Sequence, residues 1–489
     1  MQRGHVVAVL ALAVLAPVVS ITAAGAVPSG GADAAAAQTE RPNPCVRTVA
    51  EEPDAPTLMS IQGARGRDKT VAMVAGLRPS GEVIGIHNAS ANGRWWAYDV
   101  DPLANGNLLL SSTEPGISVV EEIDPETGDH EAVRRFPDVL DSHDADLING
   151  DELLMNDMSD GEDRVIVYNL TREAVVWEYD FHEHTDVFDP DNGGEYEKDW
   201  THNNDVEKIG DGQFMVSVRN HDQVVAINRS TKELAWRLGS DDNRSVMFEQ
   251  HNPDYLEDEQ GRATVLIADS RNDRVVEYTR EDGEWNQTWT MNGGGLNEPR
   301  DADRLPNGNT LIADRRGDRI VEVTPDGEVV WEVLSPWQPY DVERIGTGDE
   351  SMGPTMLEAD ATGDYQLNST SVEPDALEAC YSYLTDVEST QLLPADATPT
   401  GDDGTTDGSD GGETTSPGDG ETASPGGGGP DGGDGETADG SDGETDRSDG
   451  ESVLGDGGSD ETTTGATGPG FGPVAALLAV VFAAALRRR

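Results

Sequence analysis

The sequence predicts an all-β fold: a six-bladed β-propeller closed by its N- and C-terminal strands, then a disordered acidic stalk and a C-terminal hydrophobic helix. Three observations predict it. Short apolar runs separated by Asn-Gly and Asp-Gly turns return every roughly 45 to 60 residues, near the period of propeller blades. No repeating segment carries a helical period. Near residue 395 the composition then shifts to Asp, Gly, Ser, Thr and Glu, with almost no apolar side chain to offset chain entropy.

The best-preserved repeat runs from Asp301-Ala302-Asp303 through Asn307-Gly308-Asn309, Thr310 to Asp314, Asp318 to Val323, Pro325-Asp326-Gly327 and Val329-Val330-Trp331. Its apolar runs read as strands, and its Asn-Gly and Asp-Gly pairs as hairpin turns that need positive φ. Counterparts begin at Asp99, Asp144, Asp205, Asp254 and Asp341, and Trp177, Trp236, Trp289 and Trp331 end outer strands, where an indole can pack between blades. Five units are complete. The sixth, from Tyr340, loses its pattern near Gly363, and the strand-like Thr70 to Leu77 and Glu82 to His87 at the front can complete it. The last blade is therefore expected to be shared between both ends of the chain, with seven blades as the alternative count.

The expected organisation is a signal peptide or N-terminal membrane segment over 1–26, a lead-in over 27–67, the propeller over 68–370, a packed extension over 371–394, the stalk over 395–468 and a sorting signal over 469–489. Arg3 and His5 ahead of the apolar Val6 to Val19, followed by Ala24-Gly25-Ala26, point to export. Cys45 and Cys380 are the two cysteines, before the first strand and after the last. An even count in an exported chain predicts a disulfide that staples the ring, with two buried thiols as the alternative.

With 95 Asp plus Glu against 33 Lys plus Arg, the net charge of -62 excludes nucleic acid as a partner. Lysine is nearly absent, a pattern that resembles haloarchaeal proteins. Molar salt cuts the Debye length to about 3 Å, so the fold is expected to tolerate its charge only when screened. The C-terminal order of Gly468-Pro469-Gly470-Phe471-Gly472, an apolar Val474 to Leu486 and Arg487-Arg488-Arg489 resembles the PGF-CTERM sorting signal. That resemblance implies an archaeosortase recognising Pro469, Gly470 and Phe471, and attachment to the outer membrane face. A plain C-terminal membrane helix is the alternative.

Repeats place equivalent residues around one central channel, so position matters more than proximity in sequence. His143, His202 and His251 each lie three residues before an acid near a repeat start, Asp146, Asp205 and Asp254. The corresponding places hold Arg300, Tyr98 and Tyr340. Three imidazoles, a guanidinium and two phenols suit a tetrahedral oxyanion, and an imidazole can act as nucleophile near neutral pH. Structural His–Asp pairs within each blade are the competing reading. Asp186, Asp189 and Asp191 in the His182 to Trp200 segment lack calcium-loop spacing, so that segment reads as a solvated acidic loop over the channel. No cofactor and no metal site are expected.

The segments Asp199-Trp200-Thr201-His202-Asn203-Asn204-Asp205, Phe214 to Asn220, Leu234 to Gly239 and Glu249-Gln250-His251-Asn252 resemble the arylsulfotransferase family. The resemblance implies a six-bladed propeller that moves a sulfuryl group from an aryl sulfate ester to a phenolic acceptor, with no nucleotide, through a transiently sulfurylated histidine. It carries the nucleophile onto His251, the sulfuryl-oxygen ligands onto His202 and Arg219, and the remaining channel histidine onto His143. Arg300, Tyr98, Tyr340, Asn203 and Asn252 are the expected substrate-binding residues. Asn252-Pro253-Asp254 departs from the family pattern after the nucleophile, which puts the donor in question. A non-catalytic surface propeller that binds glycan or protein fits the repeats equally well.

Overall fold

Short twisted sheets of this kind bury both faces only by stacking against other sheets, and here they close a ring. The computed structural model describes residues 43–65, 68–159, 161–210, 212–347, 350–395 and 397. The expected leader, nearly all of the stalk, the sorting signal with Pro469, Gly470 and Phe471, and the hydrophobic helix lie outside the described residues.

The described residues form six blades, each a four-stranded antiparallel meander with its first strand innermost. Blade 1 joins the two ends of the ring, pairing inner strand Pro339–Arg344 with Thr57–Ile61, Met73–Leu77 and Val83–His87. Blade 2 runs over Trp96–Pro102, Leu108–Glu114, Ile117–Ile123 and His130–Phe136, and blade 3 over Ala145–Ile148, Glu152–Asp157, Arg164–Asn169 and Ala174–Asp180. Blade 4 comprises Asn203–Lys208, Gln213–Val218, Gln223–Asn228 and Leu234–Gly239. Blade 5 comprises His251–Glu257, Ala263–Asp269, Arg274–Glu281 and Glu284–Asn292. Blade 6 comprises Pro299–Arg304, Thr310–Asp314, Arg319–Val323 and Val329–Leu334.

Two edges gain a fifth strand. Val46–Val49 pairs antiparallel with the outer strand of blade 6, and Gly363–Gln366 pairs parallel with that of blade 5. The propeller therefore begins before residue 68: Thr57–Ile61, inside the expected lead-in, is fully buried as the second strand of blade 1. Helix Pro374–Leu384 follows, and its Cys380 is bonded to Cys45 across 335 residues. The extension then lies on blades 1 and 2, where Leu392 donates its N–H to the Pro125 carbonyl at 2.7 Å. Gly76 faces it, and a Cβ there would meet the Leu392 carbonyl oxygen, so this approach requires glycine.

Indoles join blades at four places, and at one of them Trp285 of blade 5 donates Nε1–H to the Arg237 carbonyl of blade 4 at 2.8 Å. Trp177, Trp289 and Trp331 donate Nε1–H to the carbonyls of Arg229, Pro325 and Pro79 in the next blade, at 2.7, 2.8 and 2.9 Å. Trp236 instead packs edge-on against Trp285 at 5.1 Å. At the inner strands, a carboxylate of one blade accepts the backbone N–H of the next. Asp341 holds Val100 (3.0 Å), Asp144 holds Val206 (2.7 Å), Glu207 holds Tyr255 (2.9 Å) and Asp301 holds Val342 (3.1 Å).

Candidate active site

The mouth of the channel is built where each chain enters its inner strand. Asp141, Glu249, Glu298 and Gln338 adopt positive φ, between 46° and 61°, two residues before His143, His251, Arg300 and Tyr340. This left-handed residue turns the chain inward, so the side chain two positions on faces the axis. In blade 4 the left-handed residue is His202 itself, at φ 43°.

The second strands add the other wall. In blades 3, 5 and 6 that strand ends in Asp157, Asp269 or Asp314, bound by Nε of Arg164, Arg274 or Arg319 on the third strand at 2.8, 2.6 and 2.8 Å. In blade 4 Val218 and Gln223 take these two places. The residue just after the strand then approaches the mouth: Arg219 in blade 4, Ser270 in blade 5 and Arg315 in blade 6.

The imidazoles converge. The His143 ring is 5.3 Å from that of His202 and 4.0 Å from that of Tyr98, and its Nδ1 meets the Tyr340 hydroxyl at 3.0 Å. The Tyr340 ring lies 5.7 Å from His143 and 6.0 Å from His251, with the Arg300 guanidinium 5.8 Å over its face. His202 is held by Asp199 at 2.7 Å through Nδ1, and Tyr98 donates its hydroxyl to Asp141 at 3.0 Å.

His251 is 1% exposed, and its Nδ1 contacts the Glu249 carbonyl at 3.1 Å and Ser270 Oγ at 2.9 Å. A carbonyl only accepts, and the Ser270 hydroxyl donates to the Pro299 carbonyl at 2.6 Å, so the hydrogen of His251 resides on Nδ1. Nε2 therefore keeps its lone pair, and it is buried with no hydrogen-bond partner among the described residues. Burial first, then the charges of Arg300, Arg219, His202 and His143, hold the His251 pKa well below the usual imidazole value. Burial likewise lowers His143, against the opposing pull of Asp141. His251 at neutral pH is a neutral imidazole with an open nucleophilic nitrogen.

Glutamates orient the guanidiniums. Glu249 accepts from Arg219 at 3.0 Å and from Arg271 at 2.8 Å, while Glu298 accepts from Arg300 at 3.0 Å and also pairs with Arg315. Of the sequence-predicted residues, His143, His202, His251, Arg219, Arg300, Tyr98 and Tyr340 come together. Asn203 turns its amide to Thr201 at 2.9 Å, and Asn252 lines an acidic cavity with Asp254 and Asp301. Sequence reasoning missed Asp141, Asp199, Glu249, Glu298 and Ser270. The available signal was the residue two before each channel side chain, an acid at Asp141, Glu249 and Glu298.

In the His182 to Trp200 segment Asp186, Asp189 and Asp191 are exposed, as a solvated acidic loop requires, and aromatic side chains anchor it to the propeller. Phe181, Phe188 and Trp200 are fully buried, and Trp200 donates Nε1–H to the Asn192 carbonyl at 2.9 Å. It contributes Asp199 to the mouth. Among the described residues the carboxylates that converge are Asp254, Asp301 and Asp303, with ligand oxygens within 4.8 Å of one another, and not Asp186, Asp189 and Asp191.

Comparison with known proteins places residues 79–251 in a match to the family model Arylsulfotransferase (ASST). Among curated proteins none matches. Among solved structures, a protein of unknown function from Bacteroides caccae is 14% identical, with 59% of this chain and 98% of that one covered and a TM-score of 0.43. The periplasmic gluconolactonase of Pseudomonas aeruginosa is 15% identical over 59% and 85% of the two chains, with a TM-score of 0.38. Virginiamycin B lyase from Staphylococcus aureus is 11% identical over 50% and 73%, with a TM-score of 0.34.

Proposed function

We propose that the protein is an arylsulfotransferase that moves a sulfuryl group from an aryl sulfate ester to a phenolic acceptor by way of a sulfohistidine at His251. One observation carries this reading. A buried imidazole held in a single tautomer keeps a partnerless Nε2 in a mouth lined by Arg219, Arg300, His143 and His202. His221 and His87 also keep an Nε2 without a hydrogen-bond partner among the described residues, so what distinguishes His251 is that its free nitrogen lies among the cations of the mouth. The arylsulfotransferase match over residues 79–251 supports the same reaction class.

In the first half-reaction Nε2 attacks sulfur, the N–S bond forms and the aryl C–O–S linkage breaks at O–S, releasing the phenolate. Guanidinium and imidazole donors stabilise charge on the sulfuryl oxygens as it develops. In the second, the acceptor's phenolic oxygen attacks the same sulfur and the N–S bond breaks. The proton the acceptor loses balances the one the departing phenolate gains, and His143 with the Tyr340 hydroxyl is placed to relay it. Trp95, 45% exposed, and Trp96 continue an aromatic path outward from Tyr98, and an aryl ring would rest there. The leader at 1–26 and the sorting signal at Pro469, Gly470 and Phe471 support placing this reaction at the outer cell surface, membrane-anchored after archaeosortase processing.

The test is 4-nitrophenyl sulfate with a phenol in multimolar KCl. Nitrophenolate release should depend on the phenol, follow ping-pong kinetics and disappear in His251→Ala. Folded wild-type protein that turns over none of several aryl sulfates would favour the binding propeller instead.

A further inference from the structure

Behind the imidazoles the same inner strands bear a second set of side chains. Asp144 follows His143, Asp301 follows Arg300, Asp341 follows Tyr340 and Asp99 follows Tyr98. They line a cavity in which ten of eleven residues are acids and the eleventh is Asn252. Its room, about 20 Å³ for the centre of a water-sized sphere, suits one ion or one water and no organic ligand.

Acids contact acids here: Asp254 shares a hydrogen bond with Glu350, and Asp144 shares them with Asp99 and Asp146. Such contacts stand only with a proton or a cation between the oxygens. The nearby Arg304 gives one Nη2–H to Glu277 at 3.2 Å, and its charge also acts on Asp254, so this guanidinium stands against ten acids in the cavity. Asp254 is fixed by the N–H of Ser351 at 3.1 Å and Asp301 by that of Val342 at 3.1 Å, so these carboxylates are held in place. Asp254, Asp301 and Asp303 bring ligand oxygens within 4.8 Å of one another, and two oxygens on opposite sides of one calcium ion stand about 5 Å apart. A separate observation points to a ligand. Asp205, 8% exposed, lines the same cavity, and its Oδ2 has no hydrogen-bond partner among the described residues.

We propose that this layer binds one divalent cation of the calcium class on the propeller axis, held by Asp254, Asp301 and Asp303, with the unpartnered Asp205 oxygen facing the same cavity. All-oxygen, carboxylate-rich coordination selects a hard cation. Magnesium keeps several waters and demands tighter octahedral geometry, and the cavity has no room for those waters. Bound there, the ion would offset the negative charge behind a mouth that takes an anionic substrate. The inference stands whether or not the mouth transfers sulfuryl groups.

The test uses the full chain, treated with EDTA and held in multimolar KCl, with CaCl2 as the probe in calorimetric titration. Wild type and the exposed control Glu284→Gln should bind one saturable equivalent, and Asp254→Asn and Asp301→Asn should bind it about tenfold or more weakly. Equal binding by all four proteins, as the acidic surface alone would give, overturns the site. If the asparagine variants do not fold, wild-type melting decides. At pH 7 and matched ionic strength, calcium should raise the midpoint by several degrees and magnesium should not. A midpoint that rises only on acidification, with no calcium effect, would show that protons rather than an ion hold the acids together.

Discussion

Arg219→Gln isolates the chemistry of the mouth from its architecture. The substitution removes a permanent charge next to His251 while keeping a polar side chain of similar length. Glu249 is not stranded by it, because its Oε2 remains bound by Arg271 at 2.8 Å, so the fold should persist. Losing one charge-stabilising donor at a developing oxyanion costs about 10²–10³ in kcat, or about 2.7–4 kcal/mol. The pH profile should move as well. Arg219 is one of the cations that hold the His251 pKa well below its usual value, after burial and Arg300. Attack needs neutral His251, so kcat/KM falls as pH drops through that pKa. With Arg219 gone the pKa rises, and the acidic limb shifts to higher pH, toward but not beyond the ordinary imidazole range. The assay is phenol-dependent nitrophenolate release between pH 4 and 9 in multimolar KCl, with Arg271→Gln as control. Arg271 meets the same Glu249 but is not among the leading charges acting on His251, so its loss should cost about twofold. A loss below tenfold in Arg219→Gln with an unmoved limb, or an equal loss in Arg271→Gln, would refute this account.

The Cys45–Cys380 bond closes a 335-residue loop, and the chain-entropy relation gives about 6 kcal/mol for it. Reduction, or Cys45→Ser with Cys380→Ser, should therefore lower the melting midpoint by about 8 °C, taking about 2.1 cal/mol/K for each of roughly 350 folded residues. A shift under about 2 °C would mean that the blade 1 strands hold the ring without the staple. Dilution from multimolar KCl to about 10 mM lengthens the Debye length to about 30 Å, and a chain of net charge -62 should lose its circular-dichroism strand signal there. Within the salt range where it stays folded, raising KCl should lower KM for an anionic aryl sulfate, since screening removes long-range repulsion before it touches the 3 Å contacts of the mouth.

The ring was legible because its turns are chemically specific. Asn307-Gly308 and Asp326-Gly327 have their glycines at φ 87° and 93°, values that few other residues adopt readily, and they mark hairpins wherever they recur. The closing blade was only half legible. Thr57–Ile61 is a five-residue run whose inner partner, Pro339–Arg344, comes from the far end of the chain, so no local repeat announces it. The mouth divided the same way. His143, His202 and His251 stand out because histidine is scarce, with nine in the chain, whereas the orienting acids Asp141, Asp199, Glu249 and Glu298 are hidden among 95. Ser270 had no signal of its own. Its role appears only once the blade register aligns it with Arg219 and Arg315.

The two sets of side chains along the axis explain each other. A mouth that takes an anion needs cations, and His251 needs to stay neutral beside them. Burial and the guanidiniums act in the same direction on that imidazole, so the groups that would bind the sulfuryl oxygens in the proposed reaction also keep its proposed nucleophile deprotonated. Glu249 and Glu298 fix Arg219 and Arg300 from the sides, at 3.0 Å each. The acids behind them obey the opposite rule. Burial and mutual repulsion push Asp205 and Asp301 well above the usual carboxylate range, so their ionised forms destabilise the fold as pH rises through those raised values. An ion on the axis would remove that cost without a proton and would turn a repulsive floor into a neutral one. Strand positions one residue apart thus carry opposite electrostatic duties, and the repeat that builds the ring is what lines up each duty around a common axis.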